Sequence, residues 1–159
     1  MNSQLSCTNC NNTVDPDAAW CPHCGALFDE AALCQLHPEE EAGGVCVICS
    51  LPCCSDCGTW VNDIFLCGKH EEYELIEGRA RVYGSMDVLA ATYASRCLEQ
   101  AGLHPFTYSR LAYRNVDIAP NWSYRQFGGH TGAEVKILVP FGEVTAAESV
   151  LRDLAITPG

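Results

Sequence analysis

The chain has 159 residues, 18% of them charged and 48% hydrophobic, with a formal net charge of −11. That balance excludes wholesale disorder, and the length excludes a large multidomain enzyme. Residues 1–68 hold nine Asp or Glu and neither Lys nor Arg, so this half has nothing with which to neutralise phosphates, and nucleic acid is not expected as a partner. Loaded zinc sites do not reverse this, because four thiolates on one zinc leave about −2 and three thiolates with a histidine leave about −1. No run approaches the roughly 18 apolar residues of a membrane span, so no membrane association is expected. Nor does a charged start with an apolar stretch precede the first cysteine, which predicts a reducing, cytoplasmic setting. There the cysteines, twelve in all and eleven of them in residues 7–67, point to metal rather than disulfides, with Cys53 and Cys97 outside the ligand pairs.

The first pairs are Cys7-x-x-Cys10 and, ten residues on, Cys21-x-x-Cys24. Each pair folds into a tight knuckle that presents two sulfurs to one side, and two facing knuckles complete a tetrahedral zinc shell. Gly25 permits the turn in which amide N–H groups point back at the thiolates. Four thiolates satisfy the metal, which leaves His23 as a solvent-facing knuckle residue. The segment 1–28, above all Cys21-Pro22-His23-Cys24-Gly25, resembles the short zinc ribbons that open many bacterial and archaeal proteins.

Four more pairs follow: Cys34-x-x-His37, Cys46-x-x-Cys49, Cys54-x-x-Cys57 and Cys67-x-x-His70, separated by eight, four and nine residues. Sequential and interleaved pairing both give two sites of three Cys and one His. Cys54 has the two-residue gap to Cys57 that a knuckle needs and Cys53 lacks it; Cys53 is then either a small core residue or a redox-accessible thiol beside a zinc cluster. Residues 34–70, opening with Cys34-Gln35-Leu36-His37-Pro38, resemble the B-box zinc finger. The resemblance implies a cross-brace in which Cys34, His37, Cys54 and Cys57 hold one zinc and Cys46, Cys49, Cys67 and His70 another. The terminal Cys-x-x-His pair and the loop Gly58–Leu66 depart from the animal B-box pattern.

Large apolar side chains are few in residues 1–70, and structural zinc contributes on the order of 10–16 kcal/mol in finger peptides, so metal is expected to carry this half. The expectation is about three structural Zn(2+) per chain. The ligand pairs fill three closed shells with no position left for water or substrate, and neither a His-Glu-x-x-His helix nor a deaminase-type His-x-Glu motif is present. These features predict a chain that is not an enzyme.

Glu71–Gly78 reads as an acidic linker. Residues 79–159 read as an ordinary α+β domain: a strand over Arg79–Gly84, a helix over Asp87–Gln100 stopped by Gly102, an extended stretch His104–Leu111, a strand Glu134–Phe141 and a helix near Glu143–Ala155. Leu89, Tyr93 and Cys97, with Val88, Ala94, Leu98 and Ala101 one position round, mark the expected buried stripe of the first helix. Thr145 and Glu148 have capping-box spacing in the second, and Ile156 is a candidate start of a last edge strand. The order predicts a split βαβ sheet with both helices on one face, a ferredoxin-like βαββα(β) domain. Val82-Tyr83, Leu98-Glu99-Gln100-Ala101-Gly102-Leu103 and Ile137-Leu138-Val139-Pro140, followed by Ala147 and Leu151, resemble a family of small prokaryotic signal-transducing proteins of PII-like fold. That likeness implies a signalling role and no catalytic residues.

Between the middle strands lies a loop rich in aromatic and Arg residues, in which either Tyr113, Arg114, Trp122, Tyr124 and Arg125 are candidate partner-binding residues or the loop folds over the open sheet face with Trp122 and Tyr124 filling core. Gly128–Gly132 lacks the lysine of a phosphate-binding loop, and His130 alone does not make a catalyst. The reading that follows is a zinc-binding adaptor or regulator that mediates protein–protein interactions in signalling and meets partners with basic surfaces. The alternative is a zinc- or redox-responsive regulator whose cysteines release metal on oxidation.

Overall fold

The computed structural model describes residues 4–29, 31–109 and 130–156, with side chains from residue 134 onward in the last segment. They belong to two compact units, Met1–Tyr73 and Glu74–Gly159. The architecture is mixed α+β, and among the described residues the helices lie in the second unit.

The first unit is built from short antiparallel hairpins. β1 (Leu5–Ser6) pairs with β2 (Thr13–Val14), β3 (Gly44–Val45) with β4 (Pro52–Cys53), and β5 (Gly58–Val61) with β6 (Ile64–Cys67). Asn62 and Asp63, at φ +49° and +63°, form the two-residue turn between β5 and β6. Both left-handed residues match the twist of the strands, which is why Asn and Asp serve there. The core is small, and Phe65 is its centre. A Cβ on Gly44 or Gly58 would lie 2.5 or 2.4 Å from carbons of the Phe65 ring, so both strands pass directly over its faces and edge.

The ribbon does not stand apart from the residues after it. The Val45 amide donates to the Gly25 carbonyl at 2.8 Å, the Phe65 amide to the Cys24 carbonyl at 2.8 Å, and the Asn9 side chain to the Asp63 carbonyl at 3.4 Å. Gly25 sits at φ +84°, and a Cβ there would come within 2.1 Å of the Val45 carbonyl oxygen. Its glycine identity therefore serves the approach of two chain segments as well as the knuckle turn.

The second unit carries a four-stranded sheet in the order β7-β8-β10-β9, every pair antiparallel: β7 is Leu75–Ile76, β8 Arg79–Asp87, β9 Phe106–Tyr108 and β10 His130–Pro140. β8 and β9 both run against β10, so they are parallel to one another with β10 between them. Helices α1 (Val88–Gln100) and α2 (Val144–Asp153) pack on β8 and β10 and on each other, which puts both on one face. Leu98, Ile137, Val139, Val144 and Ala147 form the fully buried centre between them. Glu74 accepts from Lys136 and Arg81, and Arg81 also pairs with Glu134. The hydrogen bond from Lys136 is the main reason that the Glu74 carboxyl is held below its ordinary range.

Four local expectations are corrected. The acidic stretch 71–78 contains β7, because Glu77 (φ +48°) and Gly78 (φ +77°) make a tight turn that folds Leu75 and Ile76 back onto β8. The buried face of α1 is Ala91, Ala94, Ser95 and Leu98, whereas Leu89 and Tyr93 are 62% and 58% exposed and Cys97 is half-buried. Small residues let the helix lie close to the sheet and turn its bulky ones outward. Thr145 does not cap α2; a 3-10 turn at Phe141–Glu143 leads into the helix without a side-chain cap. Ile156 begins no strand, since its amide donates to the Leu151 carbonyl at 2.8 Å and that of Ala155 to Arg152 at 3.0 Å, closing α2 in a Schellman motif. The same motif ends α1, with Leu103 donating to Leu98 at 3.1 Å and Gly102 to Glu99 at 3.0 Å.

Candidate metal centres

The hairpins position the ligand pairs through one repeated backbone device. In three knuckles the carbonyl of the first cysteine accepts from the residue four on, and its amide donates to the residue five on. The bonds are 2.8 and 2.9 Å for Cys7 with Asn11 and Asn12, 2.8 Å each for Cys21 with Gly25 and Ala26, and 2.8 and 3.0 Å for Cys46 with Ser50 and Leu51. The fourth residue is left-handed each time, with φ +59° at Asn11, +84° at Gly25 and +61° at Ser50. Asn11 and Ser50 are the positions that ligand spacing overlooks. The available signal was an Asn, Gly or Ser four residues after the first cysteine of a pair.

These turns bring the ligand atoms into three groups of four: Cys7, Cys10, Cys21 and Cys24; Cys34, His37, Cys54 and Cys57; Cys46, Cys49, Cys67 and His70, each with its ligand atoms within 4.8 Å of one another. The pairs therefore interleave, first with third and second with fourth. Sulfur–sulfur distances are 3.7 Å for Cys7–Cys24, 3.6 Å for Cys10–Cys21 and 3.8 Å for Cys49–Cys67. A tetrahedron with zinc–sulfur bonds of about 2.3 Å has edges of about 3.8 Å, and a disulfide would be about 2.05 Å, so the spacing is that of a metal shell. Both histidines turn Nδ1 inward, His37 lying 3.4 Å from Cys54 Sγ and 3.2 Å from Cys57 Sγ, and His70 3.4 Å from Cys46 Sγ and 3.2 Å from Cys67 Sγ. The three groups fit three structural zinc ions. His23 is exposed and belongs to none of them.

The electrostatics suit a dication. Burial opposes charge on Cys34, yet amide donors from Cys54, His37 and Leu36 outweigh it and lower its thiol to about 6. At Cys10 burial is likewise outweighed, chiefly by the Asn12 side chain at 3.2 Å, and the thiol falls to about 7. Desolvation and the neighbouring sulfurs push Cys49 and Cys57 up to about 12, which is the cost of crowding thiolates without a cation. A bound divalent ion cancels that repulsion and drives the protons off.

Cys53 stands outside all three groups, 2% exposed, its thiol donating to the Leu51 carbonyl at 3.6 Å. Burial, with the surrounding cysteines, pushes it up to about 11, so it is a protonated core residue at neutral pH and not an accessible thiolate. The loop candidates Tyr113, Arg114, Trp122, Tyr124 and Arg125 lie outside the described residues. No helix among the described residues is long and apolar enough to cross a membrane. Comparison of the chain with models of known families, with curated proteins and with solved structures returns no match.

Proposed function

We propose that this chain is a non-enzymatic adaptor in which three structural zinc ions hold a rigid, acidic protein-binding surface, joined to a second unit with a regulatory role in signalling. The observation that carries the reading is closure. Each metal group supplies four ligand atoms mutually within 4.8 Å, which completes a tetrahedral zinc shell and assigns the metals to architecture rather than to chemistry on a substrate. The charge of residues 1–68 supports partners with basic surfaces, and loaded sites make it more negative by about 4.

Interleaved pairing of Cys34, His37, Cys54 and Cys57 with Cys46, Cys49, Cys67 and His70 supports the B-box-like cross-brace. For the second unit, the antiparallel order β8-β10-β9 with both helices on one face supports a ferredoxin-like, PII-like domain, β7 taking the place beside β8 that a strand after α2 would hold. The test is affinity capture with the zinc-loaded chain beside a chelator-stripped sample. A partner kept only by the loaded chain, and released by moderate salt, is the expected result. Equal retention by the stripped chain, or turnover of a captured small molecule, would sink the adaptor reading.

A further inference from the structure

Where the ribbon meets the double-zinc segment the surface opens into a cleft of about 440 Å³, lined by Asn9, Leu27 and Asp29 from the earlier stretch of chain and by Glu41, Ala42 and Trp60 from the double-zinc segment. Neither segment makes this cleft alone. Trp60 is 45% exposed, its ring steadied by an edge contact with Phe65 at 5.2 Å. The walls are tied down by backbone pairing of Leu27 with Trp20 and of Glu41 with Leu33, and by the Ala42 amide on the Ala32 carbonyl at 2.9 Å. The Asp29 carboxylate is oriented by the Ala31 amide at 2.9 Å. A site already held in shape loses little entropy when it is filled.

Two carboxylates and an indole line a cleft in a stretch of 68 residues that offers them no Lys or Arg, and among the described residues neither carboxylate has an ion-pair partner. We propose that this cleft receives an arginine side chain from an extended basic segment of a partner protein. Arginine fits better than lysine because its planar, weakly hydrated guanidinium stacks on an indole while its forked donors meet carboxylates. The volume accommodates that side chain with the backbone beside it. The proposal rests on the adaptor reading and gives it a location and a chemistry.

The experiment titrates the full-length, zinc-loaded, ¹⁵N-labelled chain with an acetylated, amidated pentapeptide alternating glycine and arginine, and with its citrulline counterpart, which keeps the shape and loses the charge. The Trp60 indole N–H and the Ala42 and Asp29 amides are expected to shift with arginine and not with citrulline. Glu41→Gln and Asp29→Asn, at exposed positions that leave three zinc in place, each weaken binding about threefold to fivefold, and Trp60→Ala by about tenfold. Shifts centred on another face, an equal response to citrulline, or unchanged affinity in both carboxylate variants would overturn the cleft as the arginine site. Binding on another face would leave the adaptor reading intact, whereas that reading falls on the capture experiment alone.

Discussion

The amide of Val45 donates to the carbonyl of Gly25 at 2.8 Å, and that bond joins the backbone of the ribbon to the first strand of the double-zinc segment. Two zinc modules that spacing separates are thereby parts of one folding unit. Gly25→Ala should disturb both. The left-handed backbone costs an L-residue about 1–2 kcal/mol, and the new methyl would meet the Val45 oxygen, which cannot yield as a flexible side chain would. The expected outcome is earlier zinc release from the whole unit in a chelator titration followed with a colorimetric zinc indicator. Loss of one equivalent with the other two unmoved would show the modules to be independent.

Cys54→Ser and Cys53→Ser should part company. The first removes a ligand and is expected to lower the metal content from three zinc to two on native mass spectrometry. The second keeps three and costs about 1–2 kcal/mol as a polar group replaces a buried thiol. With ¹¹³Cd in place of zinc, one cadmium should couple to Cys34, Cys54 and Cys57 and a second to Cys46, Cys49 and Cys67. A cadmium coupled to both Cys34 and Cys46 would replace interleaving with sequential pairing.

Acid should weaken the second unit through Glu143. Burial raises that carboxyl, but the His104 ring at 2.7 Å and the His104 amide at 2.8 Å more than offset it and hold it below the ordinary range. A lowered folded-state value means that the contribution is present above the unfolded carboxyl value of about 4.3 and is lost as pH falls through the folded one. Glu143→Gln is expected to flatten the acid limb of a thermal-stability profile and to cost under about 1 kcal/mol at neutral pH. A profile unchanged below pH of about 4 would count against the pair.

Ala155→Gly should stabilise the second unit. Ala155 occupies the left-handed position of the Schellman motif at φ +55°, where Gly102 serves α1 at +85°. Relief of strain outweighs the added freedom of the unfolded chain, for a net gain of about 0.5 kcal/mol in urea denaturation. A loss of stability would mean that the Ala155 methyl makes a contact worth more than its strain.

The metal groups were legible because a Cys-x-x-Cys or Cys-x-x-His knuckle is local: two ligands and the turn between them lie within one short stretch. The grouping of Cys34 with Cys54 rather than with Cys46 was not local, and only the resemblance to a B-box pointed to it. The Gly25–Val45 contact left no trace in spacing, since a glycine explained by its own turn gives no sign of a second segment pressed against it. In α1 the periodicity was present but the hydrophobic weight misled, for the residues against the sheet are Ala91, Ala94 and Ser95 while Leu89 and Tyr93 face outward. β7 escaped because two apolar residues, Leu75 and Ile76, are too short a run to outweigh the acidic residues around them.

At its margins the sheet of the second unit has β7, two residues long, and β9, three residues long. An incoming strand finds at most a few backbone groups there with which to register, far short of what templated growth needs. The long strands β8 and β10 lie inside the strand order, but β7 pairs with β8 only at Arg79 and Ala80 and β9 with β10 only at Lys136, Ile137 and Leu138, so beyond those residues their outer edges have no strand partner among the described residues. A strand added to this sheet would therefore find its longest run of backbone groups along β8 beyond Ala80, not on β7 or β9, so the short outer strands do not by themselves close the sheet.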